Sequence, residues 1–366
     1  MKKIVFCGKD FIKKNKRGVS RYTYELICAL DKYITNEHVE VIVPYNNGNL
    51  PKLKNIKFVS FGGNILKKGW QYTFFQYYIM KSNIINVSLS GSVAPLLNTD
   101  IVVIHDMLVK NNLDVLKNNI PNNFTKYLKA KFGTILSKWL IRRANCLITV
   151  SQFSKKEILD FSNCKKNINV IYNGWEHLKR IQIDDNVLWK KYNMLAEKKY
   201  FFYVGAQDRN KNIQWIFEIA SRNPKELFVI AGPPIDKNDI GFKNLKYTSN
   251  MLYIGYIPDE DVAFLMKHCK AFLFPSIYEG FGIPPLEALY FGAKVLCSNS
   301  SCLPEVYKNC VIYIDPYNYN ININELLQQK VTPPNILFKE YSWDKSAIKL
   351  LDILHKYSRN NMRKHI

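Results

Sequence analysis

Ala271-Phe272-Leu273-Phe274-Pro275-Ser276-Ile277-Tyr278-Glu279-Gly280-Phe281-Gly282-Ile283-Pro284-Pro285-Leu286-Glu287-Ala288-Leu289 breaks into three pieces. Ala271–Phe274 is a short, continuously apolar run of the kind buried on both faces of a parallel sheet. A glycine-rich loop follows. A helix then starts near Pro284 or Pro285, because proline suits the first helical positions, and Gly292 stands where a helix-terminating glycine belongs. Glu279 therefore falls in the loop and Glu287 in about the first helical turn. Glycines at 280 and 282 let backbone N–H groups approach a ligand, and a helix start favours an anion. The two carboxylates are suited to accepting hydrogen bonds from sugar hydroxyls.

The same grammar extends in both directions. Before it, short β-branched or aromatic runs occur at Lys3–Cys7, Val39–Pro44, Lys57–Phe61, Ile84–Leu89, Ile101–Ile104, Cys146–Val150 and Asn169–Tyr172. A second series comprises Tyr200–Gly205, Leu227–Ala231, Met251–Gly255, Ala271–Pro275, Lys294–Cys297 and Val311–Ile314. Helical patterns at Val19–Leu30, Phe124–Arg143, Ile213–Ala220 and Asp259–His268 lie between them. Such alternation predicts doubly wound α/β structure. The pattern restarts near Tyr200 after a polar stretch from His177 to Lys199, and 366 residues suit two domains. Trp343–Tyr357 reads as a closing helix, with Ala347, Leu350, Leu351 and Leu354 on one face. In such sheets ligands bind beyond the carboxyl ends of the strands, so function is sought in the loops that follow them.

Composition narrows the classes. Apolar residues make up 47% of the chain, enough for two cores and against general disorder. No apolar run approaches the ~18 residues of a membrane span. Lys9 and Asp10 interrupt the N-terminal apolar stretch, so no signal peptide is expected and a cytoplasmic protein is. The eight cysteines form no C-x-x-C pair and read as small hydrophobes rather than zinc ligands. The net charge of +22 is lopsided, with 29 basic and 11 acidic side chains in residues 1–180 against 23 and 19 in 181–366. Bases gather at Lys13, Lys14, Lys16 and Arg17, at Lys67 and Lys68, at Lys126, Lys129 and Lys131, and at Lys138, Arg142 and Arg143. That field suits an anionic leaflet, and the aromatics Trp70, Tyr72, Phe74, Phe75, Tyr77 and Tyr78 serve either a lipid-facing surface or a helix core. Nucleic acid is not expected, because no zinc-finger spacing, RNP-like motif or basic zipper region occurs. A dinucleotide dehydrogenase is disfavoured: Gly8-Lys9-Asp10-Phe11 lacks G-x-G-x-x-G.

Glu279-Gly280-Phe281-Gly282-Ile283-Pro284-Pro285-Leu286-Glu287 resembles the signature of the family 4 (group 1) retaining glycosyltransferases of GT-B fold, which build bacterial O-antigen or capsule. Other segments resemble that family in the same order along the chain. They are Gly18-Val19-Ser20-Arg21-Tyr22, His105-Asp106, Val150–Ser154, Tyr172-Asn173-Gly174, Tyr203-Val204-Gly205 with Arg209-Asn210-Lys211, Ala231-Gly232-Pro233 and Leu303-Pro304-Glu305-Val306. One departure stands out. The family's arginine usually precedes its lysine directly, whereas Asn210 separates Arg209 from Lys211; Lys211 keeps the family's distance from Gly205.

The resemblance implies two Rossmann-like domains facing across a cleft: residues 1–185 on the acceptor side, 186–342 binding the nucleotide sugar, and a 343–366 helix crossing back to the first. It implies that Lys211 and Arg209 neutralise a pyrophosphate leaving group, aided by backbone donors of Gly280, Phe281, Gly282 and Ile283. Glu279 would bind donor-sugar hydroxyls and Glu287 the ribose. His105 would act on the sugar, and the loop at Gly18 would approach the phosphates. No metal or cofactor is implied, since basic groups replace the cation. Because both glutamates share one loop and helix, binding roles are expected for them and no covalent glycosyl-enzyme. The expected activity is retaining transfer of a hexose, mannose first, from a nucleotide diphosphate sugar to a glycan or polyprenyl-diphosphate-linked acceptor at the inner face of the plasma membrane. Alternatives are a GT-B-fold sugar-nucleotide epimerase and a non-enzymatic polyanion- or membrane-binding protein. His38, His177, His268, His355 and His365 are expected to be structural or on the surface.

Overall fold

A computed structural model describes residues 2–14, 16–45, 48, 50–63, 69–80, 84–91, 100–108, 124–206, 208–233, 245 and 247–363. Lys67, Lys68 and Gln207 lie outside these, as do the side chains of Lys126 and Lys129. The chain divides into two compact units: residues 1–174 with 341–366, and residues 175–340.

Unit 1 holds a seven-stranded parallel sheet in the order β3-β2-β1-β4-β5-β6-β7. Its strands are β1 (Lys3–Cys7), β2 (Val39–Val43), β3 (Lys57–Ser60), β4 (Ile84–Ser88), β5 (Ile101–Ile104), β6 (Cys146–Thr149) and β7 (Ile168–Val170). Every apolar run expected in this half is a strand, within one or two residues. The central ones are continuously apolar because helices cover both faces; Val5, Val41, Val102, Val103 and Ile148 are fully buried. The helices are α1 (Val19–Leu30), α2 (Phe74–Ile79), α3 (Phe124–Arg143) and α4 (Gln152–Ser162), the last begun by Ser151, whose side chain accepts the Ser154 N–H at 3.0 Å.

The closing helix, numbered α12 below, runs from Trp343 to Arg363 and packs on α1. Its buried stripe contains Ala347, Leu350 and Leu354, and Leu351 is half-buried. Trp343 meets Tyr22 edge-on at 5.8 Å, and Lys32 reaches Asp344 at 2.8 Å. A Cβ on Gly174 would stand 2.1 Å from the Trp343 backbone nitrogen, so only glycine admits this approach.

Unit 2 has a six-stranded parallel sheet, β10-β9-β8-β11-β12-β13. The strands are β8 (Tyr200–Val204), β9 (Leu227–Ala231), β10 (Met251–Gly255), β11 (Ala271–Phe274), β12 (Val295–Ser298) and β13 (Ile312–Ile314). Its helices are α5 (Asp185–Lys191), α6 (Ile213–Arg222), α7 (Asp259–His268), α8 (Ile283–Tyr290), α9 (Leu303–Tyr307), α10 (Ile323–Leu326) and α11 (Asn335–Glu340). Phe201, Tyr203, Trp215, Ile216, Phe228 and Leu273 build one core beneath α6. Trp215 stays satisfied there because its indole N–H donates to the Asn318 carbonyl at 3.1 Å.

Both sheets reverse strand order at one point, β1/β4 in unit 1 and β8/β11 in unit 2. Crevices at such reversals are where open α/β sheets bind ligands. In unit 2 the flanking loops are Gly205–Asn212 after β8 and Pro275–Gly282 after β11.

Candidate functional site

In unit 2 the two loops at the reversal are laced together. Asn212, at φ 51°, donates from Nδ2 to the carbonyls of Pro275 (3.2 Å) and Pro316 (2.8 Å). Asn210 donates to the Tyr278 carbonyl at 3.1 Å, while the Ile277 N–H donates back to Asn210 at 2.8 Å. The residue that departs from the family's spacing thus ties the loop bearing the cation to the loop bearing the acid. Lys211 Nζ lies 2.6 Å from Glu279 Oε1, with the two side chains 23% and 11% exposed. A half-buried ion pair is screened less than a surface one, so each group holds the other in place. The Glu279 N–H donates to Ser301 Oγ at 3.1 Å, a partner the sequence gave no sign of.

Gly282 precedes α8 at φ 77°. A Cβ there would lie 2.8 Å from Leu303 Cδ2, the movable end of a side chain, so it is chiefly conformation that closes the position to other residues. The Tyr307 hydroxyl donates to its carbonyl. Pro284 and Pro285 occupy the helix start and carry no N–H, so donors for an anion come mainly from the 280–283 loop. Phe281 and Ile283 are buried, and only their backbones can face a ligand. At the other end of α8, Gly292 and Ala293 donate to the carbonyls of Leu289 and Ala288, a Schellman closure that stops the helix.

Glu287 lies in the second turn of α8, not the first, because the helix begins at Ile283. Its Oε1 is 3.2 Å from His177 Nε2. His177 is buried, so of the structural and surface roles expected for it only the structural one is open. Neighbouring Trp175 packs against Tyr290 of α8 at 5.0 Å and seats the segment. Arg209 is exposed at the head of the 3-10 turn Arg209–Lys211.

In unit 1, His105 follows β5. Its Nε2 is 2.8 Å from the Leu89 carbonyl, which can only accept, so Nε2 carries the proton and a neutral ring keeps its acceptor at Nδ1. Burial lowers its pKa below 6.5, outweighing that hydrogen bond and the carboxylates of Asp106 and Asp10, which pull it upward. Tyr22 of α1 meets the ring edge-on at 4.7 Å. Burial likewise pushes the Tyr22 phenol up. His105, Asp106, Ser90, Val19, Tyr72 and Leu136 line a cleft of about 330 Å³. Gly18 takes φ 54° immediately before α1, and Ser20 Oγ closes the loop by donating to the Arg17 carbonyl at 2.8 Å.

All eight cysteines are free thiols, four of them buried and four half-buried. Among the described residues no group of three or more His, Cys, Asp or Glu is placed to hold a metal ion, and no helix is long and apolar enough to cross a membrane.

Two parallel sheets, each flanked by helices and each with a single reversal, define the GT-B architecture. The sucrose-phosphate synthase of Thermosynechococcus elongatus has this fold: its TM-score to the chain is 0.72 at 17% identity, covering 98% of this chain and 100% of that one. Residues 186–365 match the family described as glycosyl transferases group 1, and that half of the chain belongs to it. It is similar to O-antigen chain mannosyltransferase B of Escherichia coli, 30% identical over 219 residues, covering 57% of this chain and 56% of that protein. It is also similar to the serotype-specific mannosyltransferase WbdA of Escherichia coli, 50% identical over 179 residues, covering 45% of this chain and 22% of that protein. The chain thus spans about half the length of the first relative and a fifth of the second.

Proposed function

We propose that the chain is a retaining, metal-independent mannosyltransferase that uses GDP-mannose and a lipid-linked oligosaccharide acceptor in O-antigen or capsule synthesis. The observation that carries this reading is the Lys211–Glu279 pair, 2.6 Å apart at the reversal point of the unit 2 sheet beside the glycine loop. In the free protein the glutamate neutralises the lysine. When a donor binds, the pyrophosphate takes up the ammonium charge and Glu279 turns its acceptors to sugar hydroxyls. As the glycosidic bond to phosphate breaks, negative charge grows on the leaving diphosphate, and Lys211 is already beside it. Arg209 adds charge from the exposed turn, and the 280–283 backbone adds donors. Glu287 takes the ribose. Unit 1 supplies His105 and Gly18, and its cleft receives the acceptor. Mannose rests on the likeness to the two Escherichia coli mannosyltransferases, and retention on the family resemblance.

Docking at the inner face of the plasma membrane is part of the reading. Leu128, Phe132 and Ile135 are exposed on α3 at helical spacing, and Lys131, Lys138 and Arg142 are exposed on the same helix. Of the aromatics singled out in the sequence, Trp70 and Phe75 are core, while Tyr72 and Tyr77 are exposed.

A thermal-shift panel of nucleotide diphosphate sugars tests the donor. GDP-mannose is expected to raise the melting temperature most; stabilisation by none of them overturns the assignment. In the transfer assay, Lys211→Ala should lower kcat/KM by about 10²–10³, the scale of losing one group that stabilises transition-state charge.

A further inference from the structure

We propose that His177 is a positioning residue that locks Glu287 for reading a ribose diol, an inference that rests on the reading of unit 2 as a nucleotide-sugar site. A carboxylate can only accept, so the 3.2 Å contact fixes the proton on His177 Nε2 and the donation toward Glu287 Oε1. The His177 side chain is 1% exposed and that of Glu287 18%, so a buried donor is aimed at a group that itself reaches solvent. The histidine is held from its own side. It sits in the 3-10 turn Glu176–Arg180, and Trp175 anchors that turn by donating Nε1–H to the Phe338 carbonyl at 3.0 Å. Trp175 also packs on Tyr290 at 5.0 Å and on Phe338 at 4.9 Å. The turn is therefore packed directly against helix α8.

A glutamate has three side-chain torsions, and ordering such a chain on binding costs conformational entropy. Holding one oxygen before the ligand arrives removes part of that cost and sets the angle of the other. An ionised carboxylate so held can accept from two adjacent hydroxyls. Reading two hydroxyls at once requires a fixed carboxylate plane. A carboxylate that swings freely would bind a deoxyribose nearly as well.

The test is titration calorimetry with GDP and with UDP, each against its 2′-deoxy and 3′-deoxy counterparts, on the full chain. The wild-type protein should prefer the ribonucleotide by about 10–100-fold, the range expected for hydrogen bonds to a charged group. His177→Ala should bring that preference below about threefold. His177→Gln, whose amide nitrogen reaches the place of Nε2, should restore most of it. A ratio of two dissociation constants measured on one preparation does not depend on the fraction folded, and His177→Asn serves if the alanine variant is insoluble. Tight nucleotide binding with an unchanged ratio in His177→Ala overturns the role of His177 alone. Tight wild-type binding with no ribose preference overturns it too. Failure of the wild-type protein to bind either ribonucleotide at millimolar concentration brings down the donor reading and this inference with it.

Discussion

His105 illustrates how one side chain records the packing around it. The Leu89 carbonyl fixes the proton on its Nε2 and the edge of Tyr22 packs on its ring, while burial holds the ring neutral by lowering its pKa below 6.5. The unfolded chain therefore takes up a proton near pH 6.5 while the native protein does not. Stability contributed by the neutral ring is complete above that pH and is lost as pH falls from 6.5 toward the lower native value. Melting temperature should drop between pH 7 and pH 5.5, and His105→Gln should flatten that part of the profile; an identical slope in the variant refutes the account. Lys211, Glu279, Glu287 and His105 were marked as candidates by the ordered family resemblance of the segments that hold them. His177 was not, because its partner lies 110 residues away and nothing local marks a histidine as facing a glutamate.

The start of α8 shows what an element demands of its sequence. Gly282 turns the chain at φ 77°, two prolines preset the next residues, and the tip of Leu303 of α9 would have to shift to admit a Cβ. Gly282→Ala carries both the strain of a positive φ and a 2.8 Å contact, so a loss of about 1–3 kcal/mol is expected. Chemical denaturation measures it, and a midpoint within error of wild type would contradict it. Helix limits elsewhere followed local signals closely: α1, α3 and α7 begin and end where periodicity put them. The closing helix runs on to Arg363, past the expected Tyr357, because polar residues carry no periodic signal yet continue a helix without strain.

Across the molecule, the +22 charge meets a surface that also exposes apolar side chains. On α3, Leu128, Phe132 and Ile135 are 45%, 68% and 59% exposed, near Lys131 and Lys138. Apolar insertion and attraction to anionic lipid reinforce each other, and salt screens only the second. Flotation with phosphatidylglycerol vesicles should show binding that weakens with salt. The triple change of these three apolar residues to Ser should reduce binding at least tenfold while leaving GDP-mannose-induced stabilisation intact. Equal binding to neutral vesicles, or by the triple variant, removes α3 as the docking face.

Strand and helix order, the parallel character of both sheets, the restart between two α/β halves and the glycine–glutamate loop were written in the sequence. Each depends on neighbours in the chain: runs buried on both faces, prolines at a helix start, glycines at turns. Tertiary structure alone decided the rest, namely that Asn210 ties two loops, that Ser301 takes the Glu279 N–H, that Trp70 is buried and Tyr77 exposed, and that His177 holds Glu287. Those pairings join residues dozens of positions apart, and local propensity carries no information about which distant surfaces will share a desolvated contact.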